Sequence, residues 1–436
     1  FRTIRGKSLK FFIILAYNSE ILSKFAEAKK KLMKHIKTAL IGFGYRGKQL
    51  LRLLRTIENF EIVGIADING YGDSESPGAS FYQGEEAYKM MLDEQQPNLV
   101  FITTPWHLHI THATECILRN CHVALEIKGG LCQDEYAPLQ EIAQQKGVKV
   151  FPLENTLFMR EILAVKRMVD EGALGEIIYM RGGYRHDLRK LLLDDNGVLG
   201  GRKGTESVWR SRFYSHHNAD IYPTHGLGPL CMILGIGKTD HLAWLTSFAT
   251  KAVGLRQHMS EDDNTPITLG DIISTQIETQ GGTLISLTHD TTLPRPRSLD
   301  FEVQGSLGIW DGVNRRIYLE KMNTETWVAD GAILSQYESR EWQLWGKDAL
   351  KHDSHHQGMD YIMLKSVAAD ILAGAQHPAE TKESVQHPAE TIAEIHYPAT
   401  LNDLALWTSV TLLSEISIRE HCRVAFGNIK NIGDNE

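Results

Sequence analysis

With 436 residues, 42% of them hydrophobic and 23% charged, the chain can bury a large core, and its length points to two domains rather than one. A formal net charge of -8, with lysine and arginine scattered along the chain, gives no electrostatic footprint for nucleic acid or an anionic membrane surface, so a small-molecule partner is expected. The five cysteines (Cys116, Cys121, Cys132, Cys231, Cys422) are odd in number and include no Cys-x-x-Cys pair, which argues against a disulfide framework or a thiolate zinc site.

Residues 1–33 read as an N-terminal extension outside the fold, because Met33 begins MKHIKTALIGFG, a natural start for the folded part. Within it FFIILAY (11–17) follows Arg2, Arg5, Lys7 and Lys10 in the order of a signal peptide, but the apolar run is short and lacks a small-x-small cleavage site. A cytoplasmic protein is expected, with a periplasmic or secreted one as the alternative. No run approaches the ~20 apolar residues that span a bilayer.

From Lys37 onward short β-branched runs alternate with helical segments. TALIGFG (38–44), EIVGIAD (61–67), NLVFITT (98–104), HVALEI (122–127) and KVFPLEN (149–155) read as strands, and KQLLRLLRTI, EEAYKMMLDEQ, HITHATECILRN and EYAPLQEIAQQKG as helices. Near-continuous apolar strands separated by helices predict a doubly wound parallel sheet, an α/β Rossmann domain over 34–157. After a helix near 160–171 the strands lengthen and alternate: IIYMRGGYRH, HLAWLTSFATKAV, a hairpin turning at Gly281 and Gly282, and SLDFEVQG. This predicts a C-terminal α+β domain over 158–436 with a largely antiparallel sheet, covered by helices at 358–374 and 401–420. Between those helices QHPAETKESV and QHPAETIAEI form a small duplication (376–400), read as a proline-bearing surface insertion rather than a histidine metal tract.

Gly42-Phe43-Gly44-Tyr45-Arg46-Gly47 is a G-x-G-x-x-G between a strand and a helix, with Asp67 twenty residues beyond Gly47 at the end of the next strand. Gly42 permits the tight turn, Gly44 lets backbone approach a pyrophosphate, and Gly47 allows close helix–sheet packing. Asp67 would bond the adenosine ribose and repel a 2′-phosphate, favouring NAD over NADP. Thr104, Pro105 and Trp106, with His109 just beyond, sit at a carboxyl strand end as further cofactor candidates, as does Glu126. His107, His109 and His112 lack a carboxylate or cysteine partner, so no metal is expected. DIYPTHGLGPL (220–230) places Tyr222 and His225 three apart: a catalytic pair on one face, or an aromatic lid with a helix cap.

At Glu126-Ile127-Lys128 the pattern resembles the Gfo/Idh/MocA family (glucose-fructose oxidoreductase, inositol dehydrogenase and relatives), over nearly all of 34–436. Conventional dehydrogenases of that family carry Glu-Lys-Pro here and an aspartate four residues before the active-site histidine. This chain has Ile127 and Ile221 at those places, and Lys128, one residue along, is expected on the opposite strand face. Tyr222 to Pro229 (YPTHGLGP) is similar throughout to the NAD-dependent glycosidases of glycoside hydrolase family 109, supported by Gly183–Leu188, Trp209–Arg212 and Gly358–Tyr361.

The resemblance implies redox-neutral glycoside cleavage by transient C3 oxidation, elimination and addition, with Tyr222 and His225 as the catalytic pair and a homo-oligomer, dimer or tetramer. A net sugar dehydrogenase and a non-catalytic NAD-binding sensor remain alternatives. It also makes Tyr184, Arg210 and Tyr222 candidates for sugar contacts, although Arg210 could pair instead with an acid of the LLLDDNG loop. Asn155 would bond near the nicotinamide ribose or the sugar. Where these glycosidases have Arg-Pro-Tyr-Ser, this chain has Arg295-Pro296-Arg297-Ser298, so Arg297 replaces a substrate-facing tyrosine and points to an anionic or otherwise different sugar.

Overall fold

The computed structural model describes residues 35–70, 78–130, 133–322, 325–374 and 395–427. The N-terminal extension and most of the 376–400 duplication therefore lie outside the described residues. Six parallel strands, β1 (Ile36–Ile41), β2 (Phe60–Asp67), β3 (Ser80–Gln83), β4 (Leu99–Ile102), β5 (His122–Leu125) and β6 (Val150–Pro152), form a sheet in the order β3-β2-β1-β4-β5-β6. The helices α1 (Tyr45–Leu54), α2 (Ala87–Gln95), α3 (His109–Leu118) and α4 (Tyr136–Lys146) connect successive strands. Every residue of β4 and β6 is buried, as expected of strands covered on both faces. Chain order reverses between β1 and β4, and at such a switch point a crevice opens beyond the carboxyl ends of the strands. The observed β4, β5 and β6 are shorter than their apolar runs because each run continues into the loop at that edge.

The second sheet has nine strands: β7 (Ile177–Arg185), β8 (Leu242–Ala249), β9 (Ile272–Thr279), β10 (Leu284–Asp290), β11 (Glu302–Gly305), β12 (Gly308–Asp311), β13 (Arg316–Leu319), β14 (Val328–Ala329) and β15 (Val424–Ala425). Its neighbours run antiparallel except β7 and β10, which are parallel, so the sheet is mixed but mostly antiparallel. Among the described residues its longer helices are α5 (Arg160–Asp170), α6 (Ser207–His216), α7 (Thr224–Leu234), α8 (Arg340–His352), α9 (Met359–Gly374) and α10 (Leu401–Glu420). A capping box between Thr400 and Asp403 starts α10.

Several elements lack a strong local pattern. The strand β3 has four residues, and α6 (SVWRSRFYSH) mixes arginine with aromatic residues around its circumference, leaving no apolar stripe to read.

The contact that positions the site is α7 on β7. A Cβ at Gly226 would lie 2.6 Å from the backbone nitrogen of Gly183, so two glycines let helix and strand touch backbone to backbone. Pro223 is the N-cap of α7, which sets Tyr222 just before the helix and His225 in its first turn, directly above Tyr184 of β7.

Candidate active site

The glycine loop has the shape expected of a phosphate cradle. Gly42 has φ +93°, and a Cβ there would lie 2.9 Å from the Thr103 and Thr104 backbone; at Gly47 it would lie 2.2 Å from the Gly42 carbonyl oxygen. At Gly44 nothing lies within 4 Å of that point, so open space stands over the first turn of α1. Exposed N–H groups at a helix start, with no side chain in front of them, fit a pyrophosphate. Asp67 sits at the end of β2, where it accepts the Phe43 N–H and the Asn69 N–H. Tyr45 is exposed beside this space.

Arg46 turns away from it. Its Nε donates to Glu126 at 2.7 Å and its two terminal nitrogens donate to Asp360 at 2.6 and 3.0 Å. Asp360, at the start of α9, also accepts from Asn155 Nδ2 at 2.9 Å and from His356 Nδ1 at 2.7 Å. Burial raises the Asp360 carboxyl, but Arg46 and His356 outweigh it and hold the group far below the usual carboxylate range. The guanidinium thus bridges the two domains at the carboxyl edge through Glu126 and Asp360. Asn155 keeps a buried Oδ1 without a partner, an acceptor that suits a cofactor amide or ribose hydroxyl.

Two residues beyond β4 are buried. His109 is fully buried; its Nε2 lies 2.6 Å from the Thr104 carbonyl, and burial pushes its pKa down to about 4. The buried ring holds the Thr104–Pro105 loop in place. Trp106 is buried in an aromatic cluster with Trp209, Phe213 and Tyr222 at 4.8, 4.9 and 5.6 Å between ring centroids, and its Nε1 donates to the Ile127 carbonyl. It is a floor beneath Tyr222.

Tyr222, His225 and Tyr184 converge. Ring centroids are 4.9 Å apart for Tyr222–His225, 4.6 Å for Tyr184–Tyr222 and 5.4 Å for Tyr184–His225. The Arg210 guanidinium lies 5.4 Å from the Tyr222 ring centre and donates to Glu206 at 3.0 Å, not to the LLLDDNG loop. Burial pushes the Tyr222 phenol well above its ordinary range, with Arg210 opposing, so it stays protonated near neutral pH.

The sequence reading missed Glu154. It is fully buried, and His225 Nδ1 lies 2.8 and 2.9 Å from its two oxygens. Burial raises Glu154, but His225 and Thr156 hold it below the usual range. An ionised carboxylate only accepts, so Nδ1 carries the hydrogen, and in the neutral ring Nε2 presents a lone pair.

Lys128 was expected on the far face of a strand, but β5 ends at Leu125 and the side chain is fully buried, 3.3 Å from Thr411 Oγ1 and 5.4 Å from the Trp106 ring centre. Its charge acts on Asp220, whose N–H donates to Ser414 on the next turn of the same helix, α10. Asp220 accepts the Tyr222 N–H and so fixes that turn. Burial raises its carboxyl to about 7, with the Tyr222 N–H and Lys128 opposing.

A raised acid stabilises the fold below its unfolded pKa and loses that contribution as pH rises through its folded one. Asp220→Asn is therefore expected to gain on wild type by on the order of 4 kcal/mol between pH 4 and pH 8, checked by urea unfolding across that range. A flat difference would rule out the shift.

A Rossmann sheet with an intact glycine cradle, joined to a sheet domain that brings a tyrosine and a histidine to its carboxyl edge, defines an NAD-binding enzyme of the Gfo/Idh/MocA oxidoreductase class. Residues 36–153 match the family described as oxidoreductase family, NAD-binding Rossmann fold, and residues 158–394 match glycosyl hydrolase 109, C-terminal domain. The chain belongs to glycosyl hydrolase family 109.

It is 30% identical to an alpha-N-acetylgalactosaminidase of Tannerella forsythia, over 88% of this chain and 83% of that one. It is 29% identical to a glycosyl hydrolase family 109 protein of Stenotrophomonas maltophilia, over 88% and 87% respectively. The fold is shared with an inositol dehydrogenase homologue from Azotobacter vinelandii solved with NADH and myo-inositol (TM-score 0.68, 15% identity, 90% of this chain and 98% of that chain). Among the described residues no helix is long and apolar enough to cross a membrane.

Proposed function

We propose that this enzyme cleaves a glycoside without net redox change, using Tyr222 and His225 as its proton-transfer pair. The observation that carries this reading is the Glu154–His225 contact beneath Tyr222. NAD, when bound, supplies a reversible hydride acceptor. Everything else falls to side chains. With the sugar C3 at the ketone level the C2 proton becomes acidic, and His225 Nε2, its tautomer set by Glu154, is the base that takes it. The Tyr222 phenol is a proton donor to oxygen, and Tyr184 and Arg210 flank the ring and bond its hydroxyl or acyl oxygens. Asp67, Gly44 and Asn155 would hold the dinucleotide. The relative from Tannerella, named for its action on an α-N-acetylgalactosaminide, supports a glycoside as substrate.

A second reading, net dehydrogenation of a sugar, has one observation in its favour: Lys128 and Asp220 each lie one position beyond or before the residues that conventional dehydrogenases use, and both are buried near Tyr222. One experiment separates the two. Aryl glycosides incubated in D2O with catalytic NAD should release phenol, and the sugar product should carry deuterium at C2. Stoichiometric NADH without phenol release would overturn the glycosidase reading in favour of the dehydrogenase.

A further inference from the structure

We propose that the substrate is an acidic glycoside whose anionic group, carried on the sugar, is held by Arg297 beside His186. This deepens the glycoside reading and rests on it. The backbone places the residues. Arg185 and Ser298 form an antiparallel bridge, Arg185 N–H donating to the Ser298 carbonyl at 3.1 Å and Ser298 N–H to the Arg185 carbonyl at 2.8 Å. His186 and Arg297 are the next residues beyond this bridge, on the Tyr184 side, where the Arg297 charge acts on both Tyr184 and His186. Arg185 points away, to Asp290 and Asp300. The other face is the one that carries the site: Tyr184 lies 6.2 Å from His186 and 5.4 Å from His225, centroid to centroid. The segment is tied down, since Arg295 donates to Asp290 at 2.9 Å.

The charges do not cancel there. Those acting on Tyr184 are Arg210, Arg297, Glu206 and Glu154. Glu206 is bonded to Arg210, and Glu154 to His225. Arg297 is exposed and, among the described residues, has no carboxylate within ion-pair distance. An uncompensated guanidinium therefore stands at the mouth of the site in a chain of net charge -8. Its fork matches the paired oxygens of a carboxylate, sulfate or phosphate. His186 lies two residues beyond Tyr184, about 7 Å along the strand. That offset puts the anion at the C5–C6 side of a pyranose whose C1–C3 side meets Tyr222 and His225.

The test uses the full chain loaded with NAD and a set of aryl glycosides: a neutral hexoside, the matching uronide, its 6-O-sulfate and 6-phosphate, and the neutral hexoside with a carboxyphenyl aglycone. An acidic sugar should exceed the neutral one by at least about tenfold in kcat/KM, and the ratio should fall with added KCl. Arg297→Gln should remove the preference and Arg297→Lys should keep part of it. Calorimetric binding of the free uronic acid against the neutral sugar gives a readout that needs no turnover. Equal rates for neutral and acidic sugars, a preference that tracks the aglycone charge, or a preference that survives in Arg297→Gln would overturn the proposal and leave the glycosidase reading intact. Arg297-dependent binding of the acid without cleavage would uphold it and count against the glycosidase reading.

Discussion

Glu154→Gln is expected to lower kcat by about 10² to 10⁴, which is roughly 3 to 5 kcal/mol of barrier, with NAD affinity nearly unchanged. Glu154 touches no open space; its work is done through His225 Nδ1. A glutamine in the same volume offers one acceptor and one donor. It no longer favours the charged imidazolium, and it can turn its amide toward Nδ1 and set the wrong tautomer, with the hydrogen on Nε2. A base that begins protonated cannot take the C2 proton. The loss should appear in kcat with KM little moved, and C2 deuterium exchange should slow in step with phenol release. His225→Ala should cost a similar factor, and the double variant should be no slower than the slower single one, because both changes disable one unit. Additive losses, or a Glu154→Gln rate within threefold of wild type, would show that the contact is structural only.

The parts of the site legible in the sequence are those whose chemistry is local. The positive φ of Gly42 and the close approach of Gly47 to the Gly42 carbonyl are what the G-x-G-x-x-G spacing asks of the backbone. Tyr222 and His225 lie in one turn, and their spacing allowed a shared face, while the choice of a catalytic pair over a lid and helix cap came from the resemblance. Glu154 was hidden because its partner is 71 positions away. A signal existed: it immediately precedes Asn155 at the carboxyl edge of β6, and an acid forced into that apolar strand end needs a partner.

Lys128 was misplaced for a different reason. Alternation across faces holds only while a strand lasts, and β5 stops at Leu125. His109 was placed just beyond a carboxyl strand end, and the first turn of α3 turns its ring inward against Thr104. Asp360 entered only through the resemblance of GMDY, since nothing local tells that its partner Arg46 is 314 residues away.

That long-range pair carries the second large effect. Asp360→Ala is expected to cost about 3 to 5 kcal/mol of stability, because it strips a half-buried Arg46 of one of its two carboxylates and leaves His356 and Asn155 without an acceptor. Asp360→Asn keeps the volume and one acceptor oxygen, so it should cost less and allow the consequences for the cofactor to be measured. Glu126 and Asn155 end the strands at the edge where the dinucleotide would lie, and both are held through the Arg46–Asp360 pair. Loosening it should weaken NAD binding by about tenfold or more, read by fluorescence titration.

The pH dependence supplies an independent check. A carboxyl held far below its ordinary range contributes stability that is present above the unfolded pKa near 4 and is lost as pH falls through the folded one. The stability gap between wild type and Asp360→Asn should therefore be constant from pH 7 to pH 5 and shrink only below about pH 4. Arg46→Lys should fail to restore it, since a single ammonium cannot bond Glu126 through Nε and Asp360 through two further nitrogens at once. A wild-type-like Arg46→Lys, or a gap that closes already between pH 7 and pH 5, would mean that the two domains are held by packing of α9 and not by this ion pair.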